Sequence, residues 1–110
     1  MAFDIILADR IRRQLGRQTA LTEKKMFGGI GFLIKGNMCC GVLGDEVIIR
    51  LDPEQAELAL REKHTRVFDF SGRPMKGWIF VDAGGVKTAN DLKRWVDVAL
   101  TYCKSLPARK

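Results

Sequence analysis

The sequence predicts an α+β fold in two layers, with helices covering a mostly antiparallel five-stranded sheet in the order α-β-β-β-α-β-β-α. Three observations predict it. Segments 4–17 and 88–106 place apolar residues three and four apart, the period of an amphipathic helix. Between Met26 and Asp52, three short runs alternate with period two and are separated by glycine-bearing turns. The strand runs are clustered rather than interleaved one by one with helices, which favours antiparallel pairing over a doubly wound parallel sheet.

Each element follows from its own residues. Leu7, Ala8, Ile11 and Leu15 form one face of the first helix, with Asp4 as its N-cap and Phe3 as the outer half of a hydrophobic staple. The first strand spans Met26 to Lys35, where Ile30, Phe32 and Ile34 alternate with Gly29, Gly31 and Leu33. Gly36-Asn37 reads as a tight turn into a second strand, Met38 to Leu43, and Gly44-Asp45 as the next turn. The third strand runs Glu46 to Asp52, with Val47, Ile49 and Leu51 inward. Asp52-Pro53-Glu54-Gln55 starts a short helix: Asp52 caps, Pro53 takes the first helical position and Gln55 can reach back. That helix buries Ala56, Ala59 and Leu60 and ends near Lys63. Two more strands follow, Thr65 to Phe70 and Gly77 to Asp82, around the turn Ser71-Gly72-Arg73-Pro74. Thr88 caps the last helix, whose stripe is Leu92, Trp95, Val96, Ala99, Leu100 and Cys103, and Pro107 stops it. Residues 1–107 form a single domain and 108–110 a frayed tail. Trp78 and Trp95 are expected in the core.

Composition bounds the function. The chain has 110 residues, 46% hydrophobic and 29% charged, enough for one core without staples. Lys and Arg number 19 against 13 Asp and Glu, a net charge of +6 that permits an acidic partner without requiring one. The apolar N-terminal run is interrupted by Asp4 and Asp9 and has no basic leader, so it is not read as a signal peptide. No stretch reaches the ~20 apolar residues of a spanning helix. A cytoplasmic protein without membrane contact is expected. The three cysteines, Cys39, Cys40 and Cys103, argue against a disulfide framework and read as packing residues. Adjacent Cys39 and Cys40 on a strand would face opposite ways. With one histidine, His64, no zinc set is evident, and no metal or cofactor is expected.

Several motifs fail on their chemistry. Gly31 to Asn37 has Walker-type glycine spacing, but Asn37 stands where the phosphate-gripping lysine belongs. Gly29-Ile30-Gly31 begins a dinucleotide fingerprint that Ile34 breaks. The glycines at 28, 29 and 31 instead read as sites of a bulge or close backbone approach. The same segment lacks the aromatics of an RNA-recognition strand. His64 reads as a surface or capping residue, and Asp69 and Asp82 stand isolated on strands. No acid, base and nucleophile set is assembled.

The segment Lys24-Lys25-Met26-Phe27-Gly28-Gly29-Ile30-Gly31-Phe32, with Gly36, Gly41-Val42, the strand 47–52, Arg73-Pro74-Met75 and Trp78, resembles the TfoX/Sxy N-terminal-domain family over residues 5 to 103. The motif residues are Lys25, Met26, Phe27, Gly28, Gly29, Gly31, Phe32, Pro74, Met75 and Trp78. The resemblance implies a two-layer fold similar to secretion-chaperone-like domains. It also implies kinship with regulators of natural-competence genes, in which a second domain follows. A chain ending at Lys110 leaves no room for that second domain, so a stand-alone module is expected. The resemblance carries over no catalytic residue.

Three functions are therefore weighed. The first is a non-enzymatic regulatory module acting through a protein partner or a homodimer, using a partly apolar outer sheet face that offers Leu33, Cys39, Leu43 and Ile48. The second is direct nucleic-acid binding by Arg10, Arg13, Arg17, Lys24 and Lys25. The third is a small-ligand protein or enzyme with a pocket near Lys25, Arg73 and Trp78.

Overall fold

The computed structural model describes residues 3–26, 28–69 and 75–108. The order is α1 (Ile5–Leu15), β1 (Leu21–Met26), β2 (Gly29–Ile34), β3 (Asn37–Leu43), β4 (Glu46–Arg50), α2 (Pro53–Ala59), β5 (Thr65–Val67), β6 (Trp78–Val81), a 3-10 turn (Ala83–Val86) and α3 (Ala89–Ser105). The class is α+β, as expected. The sheet has six strands rather than five, in spatial order β1-β2-β3-β4-β6-β5, and every pairing is antiparallel.

The additional strand is β1. Its sequence, Leu-Thr-Glu-Lys-Lys-Met, has no apolar alternation, because it is an edge strand with mostly exposed side chains. It is held by a full register against β2, from Leu21 opposite Ile34 to Met26 opposite Gly29. Arg12 of α1 adds a two-pronged hydrogen bond to Glu23, at 2.7 and 2.8 Å. The expected first strand therefore divides: Met26 ends β1, and β2 begins at Gly29.

The caps follow the sequence. The side chains of Asp4, Asp52 and Thr88 accept hydrogen bonds from Leu7, Glu54 and Asp91 amides respectively. The Gly44-Asp45 turn is as expected, since Leu43 pairs with Glu46. The preceding turn is displaced by one residue. Ile34 pairs with Asn37, so Lys35 (φ 52°) and Gly36 (φ 81°) are its two central residues. Asn37 is buried instead, its amide donating to the Pro107 carbonyl at 2.7 Å.

The core lies between the sheet and the helices. Leu7, Ala8, Ile11 and Leu15 of α1, and Leu92, Trp95, Val96, Ala99 and Cys103 of α3, meet Ile30, Phe32, Ile34, Val42, Val47, Ile49, Ile79 and Val81 of the sheet. At the middle of β3 the register slips: Phe32 pairs with Cys40 but Leu33 with Met38. Cys39 is thus an extra residue, a β-bulge. The bulge cancels the expected alternation, and Cys39 and Cys40 are both buried in the helix-side core. Cys39 accordingly does not stand on the outer face. Among the described residues, no helix is long and apolar enough to cross a membrane.

Candidate functional site

Two faces of the sheet differ in kind. The helix side is filled. Among the described residues, the outer side carries no helix, and its strand positions can be followed in register. One row crosses all six strands: Lys24, Gly31, Gly41, Ile48, Phe80 and Arg66. On one side of it, Met26 pairs with Gly29 and Leu43 with Glu46; on the other, Leu33 pairs with Met38 and Arg50 with Trp78.

Glycines make this face concave. At Gly29 a Cβ would press into the Val42 carbonyl oxygen, and at Gly41 it would lie 2.5 Å from the Ile30 carbonyl oxygen and 2.9 Å from Met38 Cε. At Gly31 it would meet only thioether tips, Met26 Cε at 3.2 Å and Met38 Cε at 3.4 Å. Large side chains around these glycines therefore lie down over bare backbone. Met26, Met38, Leu43 and Ile48 form the floor and near wall of an apolar depression of about 320 Å³. Phe68, Met75 and Trp78 form the far wall. Phe68 stacks at 4.8 Å from the Phe80 ring and 5.9 Å from Trp78. The Met75 amide donates to the Phe68 carbonyl at 3.0 Å, which fixes the methionine beside that ring.

Among the described residues, the lining holds no titratable side chain and no hydroxyl. Its chemistry is that of an adaptable apolar socket, because methionine is flexible and polarisable. Three of the chain's four methionines stand in it.

The motif residues separate clearly. Met26, Gly29, Met75 and Trp78 line the depression, and Gly31 lies under the methionine tips. Gly28 (φ 78°) belongs to the β1–β2 turn. Phe32 is fully buried on the helix side, and Lys25, opposite Ile30, projects to that side too. Phe27, Arg73 and Pro74 lie outside the described residues. Of the four outer-face positions, Leu33, Leu43 and Ile48 are there and Cys39 is not. Trp78 belongs to the depression rather than to the core, whereas Trp95 is core, as expected. The sequence reading missed Met38 and Phe68. Alternation from Gly41 turns Met38 inward, and only the bulge at Cys39 brings it to the outer face; Phe68 follows the last residue of β5 and had no periodic signal.

The basic residues of α1 are largely engaged within the chain. Arg10 donates to the Val86 carbonyl at 2.6 Å, and Arg13 pairs with Asp9 at 2.6 Å. Arg12 binds Glu23, and that contact raises its own proton affinity and holds the Glu23 carboxyl below the usual carboxylate range. Arg17 is exposed, while Lys24 and Lys25 point to opposite faces of β1.

Elsewhere the candidates are structural. His64 sits 2.9 Å from Asp82, which also caps the 3-10 turn through the Gly84 amide. Asp69 is exposed, at the limit of reach of Arg66. The three thiols meet where β3 touches α3. Cys103 donates to the Asn37 carbonyl at 3.4 Å. The hydrogen bond with Cys103 favours ionisation of Cys39, but the bond with Cys40 and burial outweigh it and push its thiol far up. Its bond to Cys39 and burial push Cys103 up as well. These are not thiolates at neutral pH. Among the described residues, no group of three or more His, Cys, Asp or Glu is placed to hold a metal ion.

Neither the curated proteins nor the solved structures contain a match to the chain. The family model described as the TfoX N-terminal domain matches residues 13–102, and the chain belongs to that family.

Proposed function

We propose that the protein is a non-catalytic, regulatory interaction module of the cytoplasm, and that the glycine-floored depression on the outer sheet face is where it takes hold of a partner protein. One observation carries this reading. Met26 with Gly29 and Met75 with Trp78, two segments far apart in the chain, converge on one apolar hollow with no acid, base or nucleophile among the described residues of its lining. Such a hollow suits a bulky apolar side chain and offers nothing to a reaction. Binding through the α1 arginines is the weaker reading, because Arg10, Arg12 and Arg13 already hold partners within the chain.

The test is selection from a random peptide library displayed on phage. The expected result is enrichment of clones sharing a bulky apolar anchor, and their loss on the Gly31→Val and Met75→Lys variants. Valine at 31 suits a strand but drives the two methionine tips into the hollow. Met75 is 42% exposed, so its replacement spares the core. No enrichment, or clones that bind all three proteins alike, would overturn the reading.

A further inference from the structure

Three cations stand around the depression, with Glu57 of α2 beside Lys76 and Asp45 in the β3–β4 turn as the nearby unpaired carboxylates among the described residues. Lys24 stands two residues before Met26 on the same face of β1. Lys76 follows Met75 and is exposed. Arg50 ends β4 at the corner between the two faces, its guanidinium 5.1 Å from the Trp78 ring and 5.9 Å from that of Tyr102. Among the described residues, none of these three cations is ion-paired. Among the described residues, the one carboxylate on an outward strand position is Glu46, and Arg66 engages it. Asp69, beyond the end of β5, also lies beside Arg66.

Several carboxylates elsewhere, Asp9, Glu23, Glu62 and Asp97, are each matched by a cation of the same chain, whereas Lys24, Lys76 and Arg50 stand around an apolar centre without such a match. Interfaces place complementary charge at the rim and an apolar anchor at the centre.

We infer that the depression docks an acidic, amphipathic segment of a partner protein: one or two bulky apolar side chains enter the hollow, and flanking Asp or Glu side chains meet Lys24, Lys76 and Arg50. This rests on the reading proposed above and adds the chemistry of the partner. A cavity of about 320 Å³ is at the small end of binding pockets, the size for an anchor rather than for a large ligand. The methionine walls let it accept anchors of different shape. A nucleic acid would also meet the cations, but its bases pair with polar edges and stack on open rings. Here, among the described residues, the hollow offers no polar side-chain group but the Trp78 indole N–H, and Phe80 is covered, 4% exposed.

The experiment uses three fluorescein-labelled peptides with the same anchors, a tryptophan and a leucine one helical turn apart. Their flanks are acidic, neutral or basic, and binding to the whole chain is read by fluorescence anisotropy. The acidic peptide is expected to bind about tenfold more tightly than the neutral one. The gap should close in Lys24→Glu/Lys76→Glu, both exposed positions, and shrink as salt rises. Equal binding of acidic and neutral peptides would overturn this inference and leave the docking reading standing. Tighter binding of the basic peptide would do the same. No binding by any of the three would overturn both. So would displacement by dodecanoate or oligothymidylate alone, or light scattering that shows a dimer which Met75→Lys converts to a monomer.

Discussion

Replacing Gly41 with alanine is expected to destabilise the protein sharply, while the same change at Gly31, its partner directly across the β2–β3 ladder, is expected to be nearly neutral. Neither glycine has positive φ, so backbone conformation does not distinguish them. Space does. A Cβ at Gly41 would lie 2.5 Å from the Ile30 carbonyl oxygen, about 1 Å short of a comfortable carbon–oxygen contact. The obstacle is backbone, so strands β2 and β3 would have to part locally, and Met38 Cε at 2.9 Å would have to move as well. Overpacking of this kind costs about 1–3 kcal/mol. A Cβ at Gly31 would meet Met26 Cε at 3.2 Å and Met38 Cε at 3.4 Å, both free ends that swing aside with one torsion. Removing a glycine also lowers the entropy of the unfolded chain, worth about 0.4–1 kcal/mol. In a domain of this size, about 1 kcal/mol moves Tm by roughly 4–8 °C. Thermal melts followed by circular dichroism should therefore place Gly41→Ala at least about 5 °C below the parent and Gly31→Ala within a few degrees of it. Equal Tm values for the two variants, or the reverse order, would refute the account of how the outer face is shaped.

Two further outcomes follow from the titratable groups. Cys39 and Cys103 have thiol pKa values raised by folding, so above the unfolded value of about 8.5 the native state holds protons that the unfolded state has lost. Stability should fall there with a slope for each thiol that grows toward about 1.4 kcal/mol per pH unit, so urea melts between about pH 8.5 and 9.5 should show a loss of roughly 1 kcal/mol per thiol that Cys39→Ala and Cys103→Ala each reduce. Glu23 has the opposite sign. Its carboxyl is lowered mainly by the Arg12 hydrogen bond, so its contribution is present above about pH 4.3 and fades as pH falls further. Because the pair is partly exposed, Glu23→Gln should cost about 0.2–1 kcal/mol at neutral pH, and less in high salt.

The parts of this molecule that were legible in sequence are those set by local chemistry. Asp4, Asp52 with Pro53, and Thr88 mark helix starts because an unsatisfied amide needs an acceptor wherever the helix begins. The stripes of α1 and α3 read correctly because each faces a single core. β1 was illegible because an exposed edge strand needs no apolar side; its order comes from β2 and from Arg12, which lie elsewhere in the chain. The bulge at Cys39 was illegible for a related reason. One residue of slippage reverses every facing assignment on its near side, and nothing in Met-Cys-Cys-Gly marks it. The depression was half legible. Met26, Gly29, Met75 and Trp78 were singled out as motif residues, but periodicity has no means of showing that they meet. Glycines at 29, 31 and 41 share the outward face with methionines at 26 and 38, so that side chains lie over bare backbone, but Met38 reaches that face only through the bulge, which spacing does not show.

The central claim, that this hollow is the binding site, is tested most directly at its own atoms. The protein labelled with carbon-13 at the methionine methyl groups gives four signals, from Met1, Met26, Met38 and Met75. Titration with the acidic anchor peptide is expected to shift Met26, Met38 and Met75 together, on the same binding curve as anisotropy. Saturable binding that leaves those three methyl signals where they were would contradict the claim.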